Sequence, residues 1–457
     1  MSSSRRQTAA VFAGLLGLSL ALYVPVLHDY FISDDFVLVR FVRTWDGSWL
    51  EFLLPWRIYS DPIVVSRYKP FFIYLLRVED LLFGDAVLGR HLLNVLTHAL
   101  AGTAAFALGR KLTGSAGAGL TGAVLFISSR LHSQAVTWTS SLFHLASVML
   151  FAWGLVVLHA DSRRRALLGF SVLAAAALLT DPEVVVGAPV VVLLALHHRS
   201  LPGGQRERAR TVAWGAVLMT LLAGACSLAN WVSLRHFPDE DFAFRPRVGR
   251  FAYVFLDLMM PFAVPLAVKV LVLLSVLLVC ALVVRREPLV GLFLLAAVPA
   301  AILWSSIGAY GVSPRYLYLP ALFTAVAMGR LAWVLLGRQP WLVALPVAGL
   351  VLLSGAAMRQ YDFILLEGRS EVGLRLHEEQ LAARAAGEHR HIWVRPSPRL
   401  TAEDLRFFAP ELDFVDGPEN GVRVIDSGEG DYVHRLGPQF ATSYWPWVWF
   451  SSSAAQL

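Results

Sequence analysis

LGRHLLNVLTHALAGTAAFALGRK, residues 88–111, carries no formal charge between His91 and Gly109 and closes on the basic pair Arg110 and Lys111. About 20 such residues are enough to carry a helix across about 30 Å of hydrocarbon. His91, Asn94 and His98 lie three and four residues apart, which sets three polar side chains along one helical face. A polar stripe on a membrane helix is costly unless it faces the bundle or water. It serves either to join helices by hydrogen bonds or to touch a substrate.

Windows of the same kind recur along most of the chain. The first runs from Val11 to Leu27, and the others fall near 116–129, 136–159, 166–180, 184–198, 211–234, 262–284, 288–306, 316–337 and 341–357. That makes about 11 transmembrane helices. Of the 457 residues 56% are hydrophobic and 16% charged, against about 25% charged in a soluble domain. Arg5 and Arg6 precede the first window, but no small-residue cleavage site follows it, so it reads as a retained span rather than a secretory signal. The expected fold class is an all-α polytopic membrane protein.

Orientation follows from the basic residues. With a cytoplasmic N-terminus, the inside loops hold Arg110 and Lys111, then Arg163, Arg164 and Arg165, then Arg199, Arg206, Arg208 and Arg210, then Arg285 and Arg286, and last Arg338. Every short inside loop is then basic, and an odd number of spans leaves the C-terminus outside. Two outer loops break this bias, with Arg40, Arg43, Arg57, Arg67 and Lys69 in one and Arg235, Arg245, Arg247 and Arg250 in the other. They read either as surface charge balanced by nearby acids or as a site for an anionic ligand. The inside loops account for the net charge of +6, so no nucleic-acid partner is expected. Cys226 and Cys280 both fall in expected spans, which argues against a disulfide framework. The absence of a P-loop argues against an ATP-driven pump.

Residues 1–358 therefore form a transmembrane module. Its extramembrane parts are a first outer loop over 28–69, an interfacial helix over 70–86 and a second long outer loop over 235–262. In the 70–86 helix Arg77, Glu79 and Asp80 interrupt an otherwise apolar run, a pattern that suits a helix lying in the interface. Residues 359–457 turn charged and soluble, and read as a small C-terminal α/β extramembrane domain. There HIWVR reads as a strand, TAEDLRFF as a helix, and GVRVIDSGEGDYVHRL as two strands around a turn.

Four polar segments can carry chemistry. Asp34 and Asp35 follow the first span; adjacent carboxylates repel, which suits a general base or a divalent-metal ligand as well as a solvated loop start. In an extended segment the two would point to opposite faces. The run Arg90, His91, Asn94 and His98 is the second. Arg130, His132, Ser133, Gln134 and Trp138 form the third, and Arg315, Tyr316 and Tyr318 in SPRYLYLP the fourth. A guanidinium there can grip a phosphate in bidentate fashion, or anchor the helix at the interface.

The order of these segments, an acidic pair, HLLNVLTHAL, LHSQAVTW and RYLYLP, resembles the GT-C superfamily of membrane glycosyltransferases. Within it, the chain is similar to the protein O-mannosyltransferase-like branch that includes the tetratricopeptide-bearing transmembrane mannosyltransferases. The resemblance covers about residues 25–320. It implies a carboxylate at Asp34 or Asp35 that activates the acceptor, with Asp34 favoured because several branches place the base first. It matches an H-x-x-N-x-x-x-H pattern to His91, Asn94 and His98, and sets Arg315 through Pro320 near a lipid phosphate. His91, His132 and Lys69 are further candidates for lining the site.

The chain also departs from its relatives. An acid common among them is Gln134 here, Leu142 and His144 stand where an Arg and an acid often follow, and a Lys-Glu pair appears as Pro182 and Glu183. No tetratricopeptide array follows. The expected function is transfer of a sugar from a polyprenyl-phosphate donor to an acceptor at the outer face of a bacterial inner membrane. A divalent metal is compatible but not required. A transporter or lipid flippase and an inactive GT-C-like scaffold are the alternatives.

Overall fold

The computed structural model describes residues 3–29, 31, 34–54, 69–158, 164, 167–172, 174, 187–200, 206–234, 251, 255–256, 258, 266–284, 286–291, 293–294, 298, 302, 314–337, 339–359, 382, 385–387, 390–395, 412–416 and 424–426. The helices are α1 (Ser3–Tyr23), α2 (Asp34–Thr44), α3 (Pro70–Phe83), α4 (Val87–Thr113), α5 (Ala116–Ile127), α6 (Ser133–Thr137), α7 (Leu142–Leu158), α8 (Ala188–Ser200), α9 (Arg206–Leu234), α10 (Leu266–Val283), α11 (Tyr318–Leu336) and α12 (Pro340–Ala357).

Five segments among the described residues are long and apolar enough to cross a membrane: Arg6–Val26, Val87–Thr113, Thr139–Leu158, Tyr318–Leu336 and Pro340–Ala357. The expected windows at 166–180 and 288–306 lie largely outside the described residues. The window at 116–129 forms α5, a helix of only 12 residues, about 18 Å long at 1.5 Å per residue. It starts on a side-chain cap, with Ser115 Oγ accepting from the Ala118 amide at 3.1 Å. It ends where both the amide and the hydroxyl of Ser128 return to the Val124 carbonyl.

The decisive stretch of the sequence folds as α4. Its last turn carries Arg110 and Lys111 and gives way to Gly114 in the left-handed region, φ 70°, where a glycine costs least and the two cations meet the negative end of the helix dipole. Arg110 donates to Gln7 Oε1 at 3.0 Å and Lys111 to the Val156 carbonyl at 3.2 Å. The start of α1, the end of α4 and the end of α7 thus share one end of the bundle.

Packing there depends on the lack of side chains. A Cβ at Gly109 would meet Gly119 Cα at 2.9 Å; one at Gly122 would meet Val326 Cα at 3.2 Å; one at Gly329 would collide with the Gly122 amide and meet the Ala118 carbonyl at 2.7 Å. Small residues let α4, α5 and α11 approach backbone to backbone, as membrane helices require when lipid supplies no hydrophobic drive. The core continues through Leu15, Phe106, Phe126, Phe151, Leu322 and Phe323. Leu274, Leu278, Leu282, Leu345 and Leu352 point outward, each more than half exposed, which suits a surface solvated by lipid.

α3 lies between spans and is amphipathic in the inverted sense. Val78, Leu81 and Leu82 are exposed while Phe72, Ile73, Leu76 and Glu79 are buried, so its outer face is apolar and its acids turn inward. Beyond the helices, β1 (Arg390–Arg395) is flanked by β2 (Leu412–Asp416) and β3 (Val424–Asp426) in a parallel sheet of order β2-β1-β3. The HIWVR strand is present, and so is the first of the two expected near Val424; β2 was not expected. The TAEDLRFF helix and the second strand of the GVRVIDSGEGDYVHRL pair lie outside the described residues.

Candidate functional site

The acidic pair is not extended. Asp34 opens α2, where an acid is favoured by the positive end of the helix dipole, so successive side chains are about 100° apart rather than on opposite faces. Asp35 is fully buried, and its Oδ1 accepts from the Ser140 amide at 2.8 Å. Ser140 lies just ahead of α7. The side chain of Asp34 lies outside the described residues.

The first turn of α7 gathers the other groups. Lys69 Nζ, at the start of α3, stands 4.4 Å from the centre of the Phe143 ring, against which Phe72 also packs at 4.5 Å. The next side chain, His144, faces Tyr316 with ring centres 5.6 Å apart. Tyr316 follows Arg315 in the helical turn Pro314–Leu317; the guanidinium of Arg315 lies outside the described residues. An acid, a lysine, a histidine and the RYLYLP segment, drawn from four stretches of chain, thus meet at one helix end, whose amides favour negative charge.

The polar stripe of α4 mostly holds the bundle together. His91 Nε2 donates to the Asp29 carbonyl at 3.0 Å, and Asn94 Nδ2 donates to the carbonyls of Val136 and Trp138 at 3.2 and 2.9 Å. His98 Nε2 donates to the Ile127 carbonyl at 3.1 Å, because a carbonyl can only accept, which leaves Nδ1 to accept from the Tyr318 hydroxyl at 2.6 Å. These bonds fix the loop that carries Ser140. His132 is fully buried beside His98 and Tyr318, with ring centres 5.2 and 4.5 Å away. Its ring nitrogens make no hydrogen bond among the described residues. Burial pushes its pKa well below the usual histidine range, and His98 adds to this.

Arg90, the first of the polar run on α4, forms an ionic cluster behind Asp35 with acids that were not singled out as site candidates from the sequence. Arg90 is buried and donates from Nη2 to Asp80 Oδ1 at 2.9 Å and from Nε and Nη2 to the Gly84 carbonyl at 3.1 and 2.9 Å. Its Nη1 lies 3.6 Å from Glu79 Oε2. Arg43 on α2 donates to Asp80 Oδ1 at 3.0 and 2.8 Å and to Asp85 Oδ1 at 2.9 Å, so this outer-loop cation is balanced by nearby acids. Burial raises the pKa of Glu79 to about 8, against the pull of Arg90 and with Asp35 and Asp80 adding to the rise. The signal in the sequence was the pair of acids inside an apolar run. Among the described residues no group of three or more His, Cys, Asp or Glu side chains could hold a metal ion.

Membrane-length helices packed around an inward-facing acid, with an amphipathic helix between spans, define the class, a multi-pass helical membrane protein. The chain shares that fold with ArnT from Cupriavidus metallidurans bound to undecaprenyl phosphate, at TM-score 0.51 and 14% identity over 94% of this chain and 88% of that one. The apo state of ArnT matches at TM-score 0.50 and 14% identity, covering 96% and 89%. The Archaeoglobus fulgidus oligosaccharyltransferase in complex with Zn and sulfate aligns at TM-score 0.45 and 14% identity, covering 89% and 62%. No family model and no curated protein matches the sequence.

Proposed function

We propose that the chain is a membrane glycosyltransferase that moves a sugar from a polyprenyl-phosphate donor to an acceptor at the outer face of the membrane. The observation that carries this reading is the convergence of Asp35, Lys69, His144 and Tyr316 on the first turn of α7. ArnT, whose fold it shares, has been seen with undecaprenyl phosphate, which supports a donor of that class. Asp34 acts as the base, with Asp35 anchoring the pair through the Ser140 amide. The base takes the proton of an acceptor hydroxyl. The acceptor oxygen bonds to the anomeric carbon through a transition state with oxocarbenium character, and the carbon–oxygen bond to phosphate breaks. Arg315 and Lys69 stabilise the departing phosphate, with Tyr318 and His132 in the apolar wall behind them.

The module spans the membrane about 11 times, with its N-terminus cytoplasmic and residues 359–457 forming an α/β domain outside, in a bacterial inner membrane. A divalent cation at Asp34 and Asp35 is an addition that chelation tests. The decisive experiment gives the reconstituted protein a radiolabelled polyprenyl-phosphate sugar. Release of the carrier phosphate with label in a new product is expected. Label that crosses the bilayer on an intact carrier would make the chain a flippase, and label that does neither would make it a scaffold.

A further inference from the structure

The ionic cluster holds a group that the proposed chemistry leaves unused. Glu79 is on the inward face of α3, fully buried, and neither of its carboxyl oxygens has a hydrogen-bond partner among the described residues. Arg90 does not supply one. Its Nη2 and Nε are committed to Asp80 and Gly84, and its Nη1 stays 3.6 Å from Glu79, too far for a hydrogen bond. A carboxylate left in this way is costly, because a buried charge needs both pairing and hydrogen bonds.

The groups around it come from three elements. Arg90 faces it from α4, Asp80 adjoins it on α3, and Asp35 acts on it from α2. Asp80 in turn is held by Arg43 of α2 and by Arg77 of α3 at 3.8 Å. Among the described residues the three cations of the cluster, Arg43, Arg77 and Arg90, are already matched in number by Asp35, Asp80 and Asp85, which leaves no further positive charge to stabilise Glu79 as a fourth anion.

We propose that Glu79 is a positioning residue for the acidic pair of α2, entering the site as a neutral carboxylic acid that lets α3 close over Asp35. Ionised, it sets a second negative charge against Asp35 and competes with Asp80 for Arg90, loosening the contact that orients Asp34. The inference rests on the glycosyltransferase reading for its consequence and on the cluster geometry for its premise. The pKa near 8 agrees with it.

The sign of the linkage follows. Because the folded-state pKa lies above the ordinary 4.5, the stabilisation is fully present below the unfolded value and is lost as pH rises through the folded one. Infrared spectra of the purified full chain in detergent, read from roughly pH 5 to 9, should show the C=O stretch of a buried protonated carboxyl at neutral pH. That band should vanish above pH 8 and be absent in Glu79→Gln. Melting temperatures of Glu79→Gln relative to wild type should rise with pH up to about 8 and then level off.

Transfer rates add the functional arm. Wild type should lose about fivefold in rate between pH 8 and 9, as the protonated fraction of Glu79 falls, while Glu79→Gln keeps its neutral-pH rate there. Glu79→Met serves if the amide variant does not fold. Absence of the infrared band, or identical pH profiles in wild type and variant, overturns the proposal. If wild type transfers no sugar at any pH, the glycosyltransferase reading falls, and the infrared band alone decides whether Glu79 carries the proton.

Discussion

The two ends of the helix bundle are built on opposite principles. At the end marked by Arg110 and Gln7, α4, α5 and α11 meet through Gly109, Gly119, Gly122 and Gly329, with no side chain between backbones. At the end marked by His91 and Tyr318, the same helices meet through imidazoles, an amide and a phenol, each hydrogen-bonded to a neighbouring carbonyl or ring. The first arrangement gives rigidity at little electrostatic cost. The second buries many polar groups, which is expensive in a membrane and is retained where chemistry needs fixed charges. The difference predicts that substitutions at the polar end change rate or binding, whereas those at the glycine end change stability alone.

The largest expected effect tests the polar end directly. Asp34→Asn should lower the transfer rate by about 10²- to 10⁴-fold with little change in melting temperature, and Asp35→Asn should cost less rate. Transfer of label from polyprenyl-phosphate sugar by purified variants checks this. Turnover within a few-fold of wild type in both variants and in the double variant would remove the catalytic role from the pair.

Arg90 sharpens the comparison, since it is at the polar end yet serves structure. Arg90→Met leaves Asp80 to Arg43 and Arg77 but strips it and the Gly84 carbonyl of their buried donors, and each lost hydrogen bond to a charged group costs about 1.5–3 kcal/mol. The expected outcome is a large loss of thermal stability in detergent. An unchanged melting temperature would mean that the cluster is hydrated rather than buried.

Much of the bundle was legible because hydrophobic windows report span length directly. α4, α7, α11 and α12 fall where the sequence sets them. α5 came out shorter than its window because Ser128 and Ser129 turn the chain toward His132, a local event that hydropathy averages away. The site was legible only in pieces. Spacing placed His91, Asn94 and His98 on one face, but it could not say that they would bond the carbonyls of Asp29, Val136 and Ile127 rather than a ligand. Asp34 and Asp35 were expected in extended chain, and helix α2 overturned that. Glu79 and Arg90 sit eleven residues apart, and their meeting depends on the fold-back at Gly84, φ 53°, where α3 ends.

Donor binding distinguishes the cations of the polar end. If Arg315 grips the carrier phosphate, Arg315→Ala should weaken donor affinity by about tenfold to a hundredfold, the worth of a charge-assisted hydrogen bond of about 1.5–3 kcal/mol. Arg315→Lys should recover only part, having lost the fork geometry. Titration with polyprenyl phosphate reads this, and equal affinities in all three proteins would remove Arg315 from the site.

The smallest effect belongs to the glycine end and tests the other half of the comparison. An added methyl at Gly329 points at the backbone of Gly122 and at the Ala118 carbonyl, 2.7 Å from where the new Cβ would sit. Neither neighbour is a flexible side chain, so α5 and α11 must move apart. Overpacking of this kind costs about 1–3 kcal/mol, so Gly329→Ala should lower the melting temperature by several degrees. Its folded fraction should keep the wild-type transfer rate and donor affinity, because the separation occurs at the end of the bundle remote from Tyr318. A Gly329→Ala protein with normal stability and a reduced rate would break the division, since strain at the glycine end would then be reaching the polar end through α11.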